Sequence, residues 1–127
     1  MNVPKHIFRA YDIRGLLAEI TPEIAERVGV AFIEKTKAKK VIVGRDMRSS
    51  SPELHAAVIK GVISMGADVV DIGLCTTPMY GFAVTSDPSV EGGLMVTASH
   101  NPATYNGIKM ADATGMPISG LAIMPVV

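Results

Sequence analysis

The sequence predicts an α/β domain built on a four-stranded, mostly parallel sheet. Short runs of β-branched and other apolar residues recur at Val41 to Val43, Val69 to Ile72, Leu94 to Val96 and Ile108 to Ala111. Helix-start signals separate these runs, and glycines adjoin them, which is the alternation of a layered α/β fold. At 127 residues the chain has the size of one domain and can bury a real core.

Taken in order, Ile7 and Phe8 enter the fold ahead of a polar segment, Arg9 to Gly15, that holds two arginines, a tyrosine and an aspartate. Arginine is a donor fork suited to phosphate, and Gly15 gives Arg14 a flexible neighbour. The ordinary alternative is an ion pair between Arg9 and Asp12 at the surface, worth little. These residues alone do not separate the two.

Thr21-Pro22-Glu23 is a helix start: a hydroxyl cap, proline at the first helical position and an acid at the positive end of the dipole. Ile24, Val28 and Phe32 then form one apolar stripe through Glu34, and Lys35, Lys37, Lys39 and Lys40 read as solvated charges at the helix carboxyl end. Val41 to Val43 is a buried strand closed by Gly44. Arg45 to Ser50 follows as a loop at that strand's carboxyl end. Ser51-Pro52-Glu53 repeats the helix-start chemistry, with Leu54, Val58 and Val62 facing inward up to Gly66. His55 lies away from this stripe or at its edge and receives no function.

Val69 to Ile72 is the third apolar run, closed by Gly73, and Thr76-Thr77-Pro78 starts a shorter helix to Val84 in which the threonines serve as caps. Gly92 and Gly93 break the chain before Leu94 to Val96. The loop that follows reads Thr97-Ala98-Ser99-His100-Asn101-Pro102, then Tyr105-Asn106-Gly107-Ile108-Lys109. Pro102 disfavours helix at Asn101, and Asn106-Gly107 is a strong turn dipeptide. The last strand has no crossover helix before it, so it pairs antiparallel, at the edge or beside its predecessor.

Ser99 therefore stands past the carboxyl end of a strand, where open α/β sheets bind ligands. A serine hydroxyl needs a neighbour to take its proton or stabilise its charge, and His100 and Lys109 are the nearby groups able to do so. The commoner role for Ser99 and Asn101 is to hydrogen-bond their own turn.

Composition excludes several classes. Twelve basic and twelve acidic side chains cancel, which argues against a broad nucleic-acid footprint, and no apolar run approaches the roughly 20 residues of a membrane span. The lone Cys75 has no intrachain partner and the amino terminus lacks a long apolar core, so a cytoplasmic setting is expected. Neither a dinucleotide fingerprint nor a P-loop is present, which weighs against a nucleotide-binding domain.

The loop from Thr97 to Lys109 closely resembles the phosphoserine loop of the α-D-phosphohexomutases. Phe8-Arg9-Ala10-Tyr11-Asp12-Ile13-Arg14-Gly15 is similar to the amino-terminal signature of the phosphomannomutase/phosphoglucomutase branch and speaks against the glucosamine branch, and Gly44-Arg45-Asp46-Met47-Arg48 resembles a third motif. The likeness runs from His6 to Ser119 and corresponds to the first of four domains. It implies a three-layer α/β/α domain with a mixed sheet whose last strand is antiparallel.

It also implies roles. Ser99 would carry the phosphoryl group and, through that phosphate, contact Mg²⁺. Arg14, His100 and Lys109 would be catalytic, while Tyr11, Arg14 and Lys109 would touch the hexose phosphate. The loop with Arg45 and Arg48 would mainly support the neighbouring site, with Asp46 as their structural partner. The expected reaction exchanges phosphoryl groups between the 1- and 6-positions of mannose or glucose, with a hexose 1,6-bisphosphate as intermediate and activator. The Asp-rich loop that holds Mg²⁺ in the family is not found here, and Leu121 to Val127 departs from the family pattern as an apolar tail without helical amphipathicity. The expectations that follow are a chain truncated near Gly120, a tail left as an exposed patch, and inactivity without domains II to IV. The alternative is a non-catalytic fragment that docks onto those remaining domains.

Overall fold

The computed structural model describes residues 2–127. After a single 3₁₀ turn at Lys5–Ile7, the elements follow in the order β1 (Ile13–Leu16), α1 (Pro22–Thr36), β2 (Lys40–Arg45), α2 (Ser51–Ser64), β3 (Asp68–Leu74), α3 (Thr77–Ser86), β4 (Gly92–Val96), β5 (Tyr105–Asp112) and α4 (Gly120–Ile123). The sheet has five strands in the order β1-β5-β4-β2-β3. Strand β2 pairs in parallel with β3 and β4, whereas β5 is antiparallel to both β4 and β1. The expected antiparallel last strand is therefore present, and it lies beside its predecessor.

The expected count of four strands is corrected to five. The additional strand comes from the polar segment: Ile13, Arg14, Gly15 and Leu16 pair with Ile108, Gly107, Asn106 and Tyr105. Only four residues long and interrupted by Arg14 and Gly15, β1 has no apolar run to announce it. Its partner strand corrects a second reading, because Asn106-Gly107 lies inside β5 and makes no turn. A Cβ at Gly107 would come within 2.1 Å of the Ile13 carbonyl oxygen, so close approach of β1 is what requires glycine there. Gly92 and Gly93 likewise belong to β4, and a side chain at Gly93 would collide with the Tyr80 ring and Val84 of α3.

Alternation along the strands builds the two faces. Val41, Val43, Leu94, Val96, Ile108 and Met110 point toward α1 and α2, where they meet Val28, Phe32, Leu54, Val58 and Val62 in the larger core. Ile42, Met95 and Ala111 point the other way and pack against Tyr80 and Val84 of α3. This is the three-layer arrangement expected from period-two strands with helices on both sides. Each fully buried large side chain contributes about 1.5–3 kcal/mol of transfer free energy.

The caps largely follow the sequence chemistry. Thr21 and Thr76 accept hydrogen bonds at 3.2 Å from the amides of Ile24 and Met79, each with proline in the first turn. At α2 the N-cap is Ser50 without a side-chain bond, and Ser51 instead donates to Asp46 at 2.6 Å. His55, read from the sequence as away from the apolar stripe or at its edge, is buried, with Nε2 2.9 Å from Asp71 of β3. One other expectation is corrected. The tail is only partly exposed: Ser119 caps the short α4, Ile123 enters the larger core, and Met124 and Val127 pack against it, while Leu121 and Val126 stay open. No helix among the described residues is long and apolar enough to cross a membrane.

Candidate active site

Strands β4 and β2 end side by side, so the loops that follow them meet. The amide of Asp46 donates to the Val96 carbonyl at 3.0 Å, and the amide of Thr97 donates to the Gly107 carbonyl at 2.9 Å. Ser99 projects from this join with φ of 56°, in the left-handed region. A residue with a Cβ holds that conformation at a cost of about 1–2 kcal/mol, so its surroundings must impose it.

They do so through Arg48. Its guanidinium donates from Nε to Asp46, from Nη1 to the carbonyls of Pro102 and Tyr105, and from Nη2 to the carbonyls of Ser99 and Asn101. All five N–H donors of the fork are thereby engaged. Asp46 accepts in turn from the Arg48 amide and the Ser51 hydroxyl, and buried Asn106 donates to both Ser50 and Ser51. The Ser99 amide is held by the Thr97 hydroxyl at 3.0 Å. The expected supporting role of the Arg45 to Ser50 loop thus has a definite agent in Arg48.

Ser99, His100 and Lys109 line one cleft of about 570 Å³, together with Asp46, Met47, Thr77, Pro78 and Thr97. Tyr11, Arg14 and Lys109 line an adjoining cleft of about 430 Å³ with Arg9, Ala10 and Asp12. Lys109 belongs to both and marks their joint. His100 and Tyr11 are exposed, whereas Ser99, Arg14 and Lys109 are half-buried. The sequence-predicted site residues therefore fall into two contiguous groups that share one ammonium.

Asp12 was not among those residues. Its side chain is 4% exposed, and its Oδ2 accepts from Nη2 of Arg14 and lies 3.7 Å from Nζ of Lys109. The Arg9 to Asp12 ion pair expected as the ordinary alternative is absent; Arg9 contacts Asp12 only through its backbone amide. Arg14 also donates from Nη1 to Oδ1 of Asn101 at 2.6 Å, which ties β1 to the serine loop. A one-residue signal existed for Asp12, an acid between two arginines of a strongly patterned segment, but its partner Lys109 lies far along the chain. Thr77 was missed as well, because its neighbour Thr76 takes the cap and leaves Thr77 facing the cleft.

Burial pushes the Cys75 thiol above its ordinary range, and burial likewise pushes up the Tyr80 hydroxyl. Metal ligands are sparse: both oxygens of Asp46 are engaged, and no group of three or more His, Cys, Asp or Glu among the described residues is placed to hold a metal ion. This donor set does not amount to a Mg²⁺ site on its own.

The family model described as phosphoglucomutase/phosphomannomutase, alpha/beta/alpha domain I, matches residues 5–123. The chain belongs to the phosphoglucomutase/phosphomannomutase family. A phosphomannomutase of Klebsiella pneumoniae is 47% identical over 114 residues, covering 89% of this chain and 72% of that protein. A phosphomannomutase of Escherichia coli is equally similar, at 47% over 114 residues, but this chain spans only 25% of its length. A protein of Pyrococcus abyssi named a probable phosphoglucosamine mutase is 44% identical over 110 residues and is covered to 24% of its length. Likeness to this family thus does not by itself separate the amino sugar from the neutral hexoses. Among solved structures, a phosphoglucomutase/phosphomannomutase family protein of Burkholderia thailandensis superposes with a TM-score of 0.87 at 37% identity, over 98% of this chain and 30% of that one.

Proposed function

We propose that the chain is the phosphoryl-carrying part of a hexose-phosphate mutase acting between the 1- and 6-positions of mannose or glucose. The observation that carries this reading is the geometry of Ser99: a hydroxyl in left-handed backbone at a strand's carboxyl end, clamped by Arg48 and sharing a cleft with Lys109. A strained, over-determined residue in a cationic cleft is how a nucleophile is presented.

In this reading the Oγ–P bond of phosphorylated Ser99 breaks as the free hydroxyl of a sugar phosphate forms its own bond to phosphorus. The sugar hydroxyl gives up its proton, and the second transfer, from the bisphosphate back to Ser99, restores the carrier. Lys109 and His100 stabilise the developing charge or move that proton, and Arg14 acts beside Lys109 at the joint of the two clefts. Tyr11 gives the sugar an exposed aromatic wall. Phosphoserine bears about −1.5 to −2 charges at neutral pH, which is why three cationic or proton-bearing groups converge here.

Mg²⁺ would offset phosphoryl charge when bound, and this chain would give it one ligand, the phosphate on Ser99. Its carboxylate ligands and the groups that read the sugar are then to be supplied by residues outside these 127, which is why the chain alone is expected to be inactive. A cytoplasmic location accords with this substrate class.

A chimera tests the proposal. Replacing the matching quarter of the E. coli phosphomannomutase by residues 5–123 of this chain is expected to yield interconversion of mannose 1-phosphate and mannose 6-phosphate that Ser99→Ala abolishes. The alternative, a docking fragment without catalysis, rests on the exposed Leu74, Met79 and Phe82. It predicts that the Ser99→Ala chimera remains as active as its parent.

A further inference from the structure

The two cations that share Asp12 are held very differently. Arg14 is fixed at two points, by Asp12 and by Oδ1 of Asn101 at 2.6 Å. Lys109 lies 3.7 Å from the same carboxylate oxygen, too far for a hydrogen bond, and its ammonium has no other acidic partner among the described residues. Its stem starts on β5, in register with Met95, and its head stands at the joint where the Ser99 cleft meets the Arg14 cleft. Lysine is a compact charge on a flexible stem, whereas arginine in a two-point clamp is rigid.

We propose that Asp12 is a positioning residue that parks Lys109 while the Ser99 cleft holds no phosphate and yields it when a phosphate is present. The buried carboxylate, with Arg14 already bound, offers Lys109 less than a full negative charge. A phosphate dianion in the adjoining cleft offers more charge and more acceptor oxygens, so the ammonium turns to it. Arg14 stays with Asp12 and Asn101 and keeps β1 joined to the serine loop. The consequence is that Asp12 sets the strength of the phosphate grip: too strong a hold would slow transfer and release. The inference rests on the reading of the Ser99 cleft as a phosphate site.

The test is the binding of inorganic phosphate to the purified chain by calorimetric or NMR titration. Asp12→Asn frees the Lys109 ammonium but keeps an oxygen for Arg14, and phosphate affinity is expected to rise about threefold to tenfold, the size of one ammonium released to face the phosphate in a partly screened site. In the Lys109→Gln background the same change is expected to have no effect. An unchanged or weaker affinity in Asp12→Asn overturns the proposal, and so does a gain that persists without Lys109, since Asp12 would then act by plain repulsion. The wild-type chain gives a second test that needs no variant: added phosphate should shift the side-chain ammonium resonance of Lys109 and leave the Arg14 Nε resonance in place. A shift of Arg14, or none of Lys109, overturns the parking role. A wild type that binds no phosphate overturns the phosphate-site reading itself, a result distinct from binding that is indifferent to Asp12.

Discussion

Arg48 donates from Nη2 to the carbonyl oxygen of Ser99 at 3.0 Å, and through that bond a residue from the loop after β2 fixes the backbone of a residue in the loop after β4. Its remaining donors go to three more carbonyls of the same loop and to Asp46. Arg48→Ala leaves the buried Asp46 carboxylate uncompensated and is expected to destabilise the fold by about 3 kcal/mol. Arg48→Lys keeps the charge but has three donors for five acceptors, so it should recover part of the stability without restoring the loop. Urea unfolding midpoints measure the first effect. In the chimera, Arg48→Lys is expected to lower kcat more than it raises KM.

Gly107→Ala tests the strand that the sequence concealed. A Cβ there would meet the Ile13 carbonyl oxygen at 2.1 Å, and backbone cannot yield as a side-chain tip can. Strand β1 must shift, taking Arg14 with it. The expected loss is about 2 kcal/mol or more in unfolding free energy, accompanied by loss of hydrogen-exchange protection in Ile13–Leu16. Full retention of that protection would show β1 to be placed by something other than this contact.

The burial of His55 has a pH signature. Desolvation lowers its pKa below 6.5, partly opposed by Asp71 at 2.9 Å. A depressed pKa means that the unfolded chain takes up the proton first as pH falls. The stabilising contribution is therefore complete above about pH 6.5 and is lost as pH drops through the lower, folded value. Urea midpoints at pH 7.5 and 5.5 should differ in the wild type, and His55→Gln should narrow that difference. The carboxylates whose pKa values are lowered, Glu19, Asp87 and Asp112, start from 4.5 for the glutamate and 3.8 for the aspartates and act in a separate, more acidic window.

Much of the scaffold was legible because it rests on local rules. Thr21-Pro22 and Thr76-Thr77-Pro78 cap their helices through atoms three residues apart, and Val41 to Val43 and Leu94 to Val96 are apolar enough to declare buried strands. The serine loop was legible by its motif. What stayed hidden depends on contacts distant in sequence. Gly107 reads as a turn residue until Ile13 is laid against it, and Asp12 reads as a partner of Arg9 until β5 brings Lys109 within 3.7 Å. Arg48 could be paired with Asp46 from the sequence, but the four carbonyls it also holds lie 51 to 57 residues away and carry no side-chain signal. The tail misled in the same way, since Ile123 finds cover in a core built by residues from the other end of the chain.

The measurement closest to the central claim is an intact-mass spectrum of the chain, with peptide mapping from Val96 to Lys109, after incubation with glucose 1,6-bisphosphate and Mg²⁺. Phosphorylation of Ser99 predicts a gain of about 80 Da on that residue, absent from Ser99→Ala. The same experiment is repeated in the chimera, which adds the remainder of the E. coli phosphomannomutase. A phosphate found on another residue, or a chimera that turns over while Ser99 stays unmodified, would contradict the assignment of Ser99 as the phosphoryl carrier.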